Sequence, residues 1–106
     1  MTVVAAFSVT PLGGPAVSAD GSVGQAVAEL VRIVRSSGLP NETNAMFTNV
    51  EGTLDEVLDV VKRCLEHAAT LAPRVNAVVK LDIREGHADA LHQKVARVDR
   101  LIAGDS

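Results

Sequence analysis

The sequence predicts an α+β sandwich, with four antiparallel strands, two helices on one face of the sheet and an additional C-terminal helix. Three observations predict it. Residues 3–10 and 74–84 alternate side chains with a period of two, as strands do. Ser22-x-x-Gln25 and Thr53-x-x-Glu56 are capping-box patterns, and each opens an apolar stripe at helical spacing. Between the two helices, residues 41–52 leave room for two short strands.

The first strand, residues 3–10, puts Val3, Ala5, Phe7 and Val9 on one face. Val4, Ala6, Ser8 and Thr10 take the other, which turns polar toward its end. The segment PLGGPAVSADG that follows is rich in glycine and proline and reads as a loop. Helix one begins at Ser22 and buries Val23, Val27, Leu30, Val31 and Val34. It stops at SSGLP: Gly38 suits the left-handed position after the helix, and Pro40 cannot continue it. Helix two starts at Thr53 with an acidic first turn that complements the helix dipole. Its stripe is Leu54, Val57, Leu58, Val61, Leu65, Ala68 and Leu71, and Pro73 closes it. In the last strand Val75, Ala77, Val79, Leu81 and Ile83 face one way, and Asn76, Val78, Lys80, Asp82 and Arg84 the other.

The order is β-α-β-β-α-β, the split pattern of a ferredoxin-like sandwich. The outer strands, first and fourth, agree on which face is apolar. The opposite face mixes Ser8, Thr10, Lys80 and Asp82 with Val4, Ala6 and Val78. That mixture suits a subunit interface or a ligand platform. A third helix, residues 88–103, carries Leu91, Val95, Val98, Leu101 and Ile102 in a narrow seam. The seam fits docking on its own domain and packing against a second subunit equally well.

Composition narrows the function. A chain of 106 residues is one domain long, here residues 1–106 with a core at 3–84. Hydrophobic residues are 47% of it, aromatics only 2%, so the core is aliphatic and disorder is excluded. A net charge of −3 and the lack of stacking aromatics on the middle strands argue against nucleic acid. No apolar run approaches the ~20 residues of a membrane span. VVAAFSV followed by AVSA faintly imitates a signal peptide, but the first basic residue is Arg32. The expectation is a cytoplasmic protein.

Catalytic and metal motifs are missing. Cys64 is the single cysteine and lies beside an apolar stripe, which reads as a buried structural thiol. His67, His87 and His92 lack ligand spacing and read as surface residues. PLGGP lacks the lysine and spacing of a phosphate loop. The stretch TNAMFTNVEG, residues 43–52, stands out because polar side chains crowd where a strand core should be apolar. Its carboxylate, Glu51, reads as a strand-end charge in solvent, as an ion-pair partner of Lys80 or Arg84, or as an acceptor for an amine or cation on a ligand.

Three segments together carry a resemblance: FSVTPLG (7–13), SGLPNETNAMFTNVEG (37–52) and VVKLDIR (78–84). The chain resembles the thiamine-binding protein family. That family's first strand reads Ser-Val-x-Pro-Leu-Gly, matched by Ser8, Val9, Pro11, Leu12 and Gly13. Its middle reads Gly-Leu-x-x-x-x-x-Pro-Met-Gly-Thr-x-x-Glu-Gly, matched in register by Gly38, Leu39, Met46, Thr48, Glu51 and Gly52. The resemblance implies a ferredoxin-like fold and dimers that pair into tetramers through sheet faces and edges. It implies binding of thiamine or its hydroxymethylpyrimidine portion, with no catalysis and no required cofactor. The ligand-binding residues would be Ser8, Thr10, Thr43, Asn44, Met46, Phe47, Thr48 and Glu51. A carboxylate or an amide, together with hydroxyls, suits an aminopyrimidine; Glu51 and Phe47 suit a thiazolium cation. Ala45 departs from the family's proline, Phe47 from a small residue and Asn49 from an apolar one. The bulk of Phe47 either stacks on a ligand ring or fills the site. The alternative is an oligomeric regulatory or assembly module that binds a partner protein and has lost the small-molecule site.

Overall fold

A computed structural model of the chain describes residues 2–14, 18–20, 23–85 and 90–104. Its elements are β1 (Thr2–Leu12), α1 (Gly24–Ser36), β2 (Asn41–Thr43), β3 (Thr48–Gly52), α2 (Leu54–Leu71), β4 (Arg74–Arg84) and α3 (Ala90–Ile102). The four strands form one sheet in the order β2-β3-β1-β4, with every neighbouring pair antiparallel. This is the ferredoxin-like arrangement. β1 is central, so of the two strands set outermost by chain order only β4 lies at an edge.

Register fixes the two faces. Val3, Ala5 and Phe7 lie across from Ile83, Leu81 and Val79 on β4, and Ala5 from Val50 on β3. These face the helices. Val3, Ala5, Phe7, Val9, Leu30, Val34, Val50, Val57 and Val60 are the heart of the core. Burying aliphatic side chains of this size contributes roughly 1.5–3 kcal/mol each. β1 runs two residues beyond the expected end, through Pro11 and Leu12. Pro11 sits where β1 has a strand neighbour on one side only, a position that tolerates the missing donor. Gly13 and Gly14, at φ 76° and 69°, then end the strand in a conformation that disfavours a side chain.

The helix caps follow the sequence pattern where they are described. The Thr53 hydroxyl accepts from Glu56 N–H at 3.2 Å, and the Glu56 carboxylate accepts from Thr53 N–H at 2.9 Å. The Thr53 N–H first, and the Thr53 hydroxyl second, hold the Glu56 carboxyl below its ordinary 4.5. Gly38 adopts φ 79° after α1. The expected Ser22 cap lies outside the described residues, as do residues 88 and 89 of the expected third helix.

Two stripes differ from expectation. In α2, Val60 and Cys64 are buried, whereas Leu58 is 42% exposed. At 100° per residue, Val57, Val60, Val61, Cys64 and Ala68 fall within one arc of the helix, and Leu58 lies beyond its edge. In α1 the buried line is Ala26, Leu30 and Val34; Val23 and Val31 are only half-buried, and Val27 is exposed. Cys64 is fully buried and its thiol donates toward Leu30 O at 3.7 Å. Burial pushes that thiol up to about 11.

α3 starts over the open face of the sheet. Leu91 is buried there, but Val95, Val98, Leu101 and Ile102 are exposed. Docking on its own domain therefore holds for the first turn, and the rest of the seam is left uncovered by the described residues. Among the described residues, no helix is long and apolar enough to cross a membrane.

Candidate functional site

β3 stops pairing with β1 at Thr48↔Phe7, whereas β4 continues to Arg74↔Leu12. Over residues 8–12, β1 therefore has a strand neighbour on one side only. The β2–β3 turn and α1 close around this open edge. Between them lies a cavity of about 180 Å³.

Its apolar wall comes from Phe7 and Val9 on β1 and from Val23, Val27, Leu30, Val31 and Val34 on α1. The α1 stripe read as core is thus shared: Leu30 and Val34 are buried in the core, while Val23, Val27 and Val31 look onto the cavity. Its polar lining is Ser8, Thr10, Thr43, Asn44 and Thr48, joined by Met46 and Phe47 of the turn. Thr43 and Thr48 face each other across β2 and β3. Their register with Phe7 puts them on the helix side of the sheet. Ser8 and Thr10 alternate to the other side and meet the cavity along the open edge.

Asn44 builds the turn. Its Oδ1 accepts from Met46 N–H at 2.9 Å and from Phe47 N–H at 2.8 Å. Its own N–H donates to Phe47 O at 2.9 Å. An asparagine that bonds to the backbone two and three residues on is a local alternative to strand pairing, which is why β2 ends after three residues. Phe47 is thereby held against the cavity while Met46 is 74% exposed. The side-chain amide NH₂ of Asn44 and the hydroxyls of Ser8, Thr10, Thr43 and Thr48 have no hydrogen-bond partner among the described residues. Five uncommitted polar groups around an apolar wall, with no charged side chain among the described residues of the lining, suit a small, flat, neutral group with donors and acceptors on its edge.

Seven of the eight residues singled out in the sequence line this one cavity; Glu51 does not. Glu51 lies opposite Val4 on the open face, is buried at 4% exposure, and accepts from Leu91 N–H at 3.2 Å. It is not a solvated strand-end charge. Its carboxylate sits at the N-terminal turn of α3, where the helix dipole favours a negative group. His92 Nε2 lies 3.2 Å from Glu42 Oε1, and Lys94 pairs with Asp82, so α3 is fastened to the sheet at three places. His67 is also an outlying residue, 3.7 Å from Glu29, and His87 falls outside the described residues. Among the described residues no cluster of three His, Cys, Asp or Glu side chains could hold a metal ion.

Sequence reasoning did not pick out Phe7, Val9, Val23, Val27 or Val31 as cavity wall. The α1 stripe alone gave no signal, because Val23, Val27, Leu30, Val31 and Val34 span about 100° of the helix, the ordinary width of a core-facing stripe.

The comparisons with known proteins agree with one another. The family model described as thiamine-binding protein matches residues 5–99. A UPF0045 protein of Mycobacterium bovis is 53% identical over 103 residues, covering 96% of both chains. A crystal structure of a Methanocaldococcus jannaschii protein superposes with a TM-score of 0.80 at 32% identity, over 92% of this chain and 96% of that one. A candidate thiamine biosynthesis/salvage protein of Thermotoga maritima superposes with a TM-score of 0.77, over 92% of this chain and 99% of that one; at 22% identity this is a likeness of fold. The chain belongs to the thiamine-binding protein family.

Proposed function

We propose that this protein binds thiamine, or a thiamine-related pyrimidine such as hydroxymethylpyrimidine, in the cavity at the open edge of β1, without catalysing a reaction. The observation that carries the reading is the convergence of Ser8, Thr10, Thr43, Asn44 and Thr48 on one apolar-walled cavity, in a chain of this family. The aminopyrimidine ring is the part of the ligand this cavity suits. Its amine and ring nitrogens match hydroxyls and the Asn44 NH₂, and Phe47 offers a face for stacking. The described residues of the lining include no carboxylate, so the thiazolium cation would lie outside the cavity. The described lining offers hydroxyls, an amide and apolar groups, which supports binding as its chemistry.

The working form would be a cytoplasmic homo-oligomer, a dimer or tetramer. The support is apolar surface: Val78, Val79, Leu81 and Ile83 on edge strand β4, and Val95, Val98, Leu101 and Ile102 on α3, are all exposed. An apolar edge strand beside an apolar helix stripe is surface that association covers. The same stripe would serve the alternative, a module that docks a partner protein. A ligand titration separates the two. Asn44→Ala removes both the turn's acceptor and the cavity's NH₂, so we expect it to weaken pyrimidine binding at least tenfold. Wild-type affinity in that variant would move the site elsewhere.

A further inference from the structure

A second feature lies at the opposite end of the sheet. Arg84, at the end of β4, shares the open face with Asp82, two residues earlier. α3 crosses over that end. Between them is a cleft of about 680 Å³ whose polar lining is Arg84, Gln93, Lys94, Arg97 and Arg100, with Ala96 and Val98 completing it. Four of the chain's ten cationic side chains meet here, in a protein whose net charge is −3.

The cations in the cleft are not neutralised alike. Lys94 is paired with Asp82. Arg84, Arg97 and Arg100 have no ion pair or side-chain hydrogen bond among the described residues. The carboxylates nearest to them in sequence, Glu85 and Asp99, do not line the cleft. Arg97 and Arg100 are three residues apart, so they share one face of the helix and repel each other there. Gln93, four residues before Arg97, adds an amide to the same face. Guanidinium groups are donors only, always charged, and forked to match the oxygens of phosphate.

We propose that this cleft is an anion site for a phosphoanion of more than one phosphate, the pyrophosphate group of a small phosphorylated compound. Three unpaired guanidiniums on two elements surround a space too large for a single carboxylate. A pyrophosphate group presents several oxygens with distributed charge, which one Arg could not satisfy and three can. The site is separate from the cavity of the preceding proposal. Arg84 is in register with Thr2, and the cavity begins near Ser8, about 20 Å along the strand at ~3.3 Å per residue. One small ligand cannot occupy both, so the two proposals stand or fall independently.

The test is an NMR titration of the full chain with sodium pyrophosphate at constant ionic strength, matched against sodium chloride. Saturable shifts confined to Arg84, Gln93, Arg97 and Arg100, absent with chloride, are expected. Arg97→Gln with Arg100→Gln should weaken that binding by about tenfold or more, with helix content by circular dichroism unchanged. Arg35→Gln, on α1 and outside the cleft, should leave it unaltered. Shifts that follow ionic strength alone, or no shift in the cleft, would overturn the assignment, as would equal binding by the Arg97/Arg100 double variant.

Discussion

The carboxylate of Glu51 is the place where the structure and a ligand-centred reading of the sequence diverge most usefully. The account makes it the fastening of α3, not a ligand group. Glu51 is 4% exposed and holds Leu91 N–H at 3.2 Å. A hydrogen bond to a charged group is worth ~1.5–3 kcal/mol. α3 has 13 residues, near the limit for a helix with little packing of its own, and only Leu91 of its apolar seam is buried. Replacing Glu51 with Ala should therefore destabilise the docked helix by that amount. At about 1.4 kcal/mol per factor of ten, hydrogen exchange of the α3 amides should accelerate about ten- to hundredfold, up to the unprotected limit. Exchange in β1 and α2, which hold the core, should change little. The milder Glu51→Gln keeps an acceptor and loses the charge, so it should show the same pattern with a smaller rise. Affinity for thiamine or hydroxymethylpyrimidine should be unchanged in both variants. Weakened ligand binding with undisturbed α3 exchange would refute the reasoning and return Glu51 to the binding site.

Other predictions follow from individual contacts. Thr53→Ala removes the cap of α2 and should cost about 1 kcal/mol in urea denaturation. The same change removes the Thr53 hydroxyl but keeps the Thr53 N–H, which lowers the Glu56 carboxyl most, so that carboxyl should rise only part of the way toward its ordinary value. Cys64 should resist thiol reagents at pH 8 until the protein unfolds, since it is buried and its thiol is raised to about 11. The unfolded thiol ionises near 9.0 and the folded one near 11, so this group's contribution is intact below pH 9 and is lost as pH rises toward 11; stability in alkaline urea melts should fall across that window. Val98→Asp with Leu101→Asp places charges on the exposed stripe of α3 and should lower the oligomer mass in sedimentation; an unchanged mass would locate association elsewhere.

What was legible in the sequence was local. Alternation in residues 3–10 and 74–84 set both long strands, and Thr53 with Glu56 set the start of α2, because those signals act over two to four residues. Gly38 marked the end of α1 for the same reason. Distinguishing neighbours on a helix was harder. Leu58 is as apolar as Val60, and only the packing of α2 on β1 decides which is covered. The site was partly legible. TNAMFTNVEG drew attention to the turn, and Asn44, Phe47 and Thr48 do line the cavity. Nearness in sequence grouped Glu51 with Thr48, yet an odd offset along a strand places the two on opposite faces. The wall from α1 needed three dimensions, since Val23, Val27 and Val31 look like core residues until the open edge of β1 is seen. The cleft of Arg84, Arg97 and Arg100 depends on α3 crossing the end of β4, which no local pattern encodes.

The central claim is that the cavity between β1, α1 and the β2–β3 turn binds a thiamine-related pyrimidine. Calorimetric titration with thiamine and then with hydroxymethylpyrimidine tests it most directly. The account predicts saturable heat at about one ligand per chain, with the free pyrimidine retaining most of the affinity because the ring is the part enclosed. No heat from either compound, with protein shown to be folded and free of co-purified ligand, would contradict it and mean that Phe47 fills the cavity instead of stacking in it.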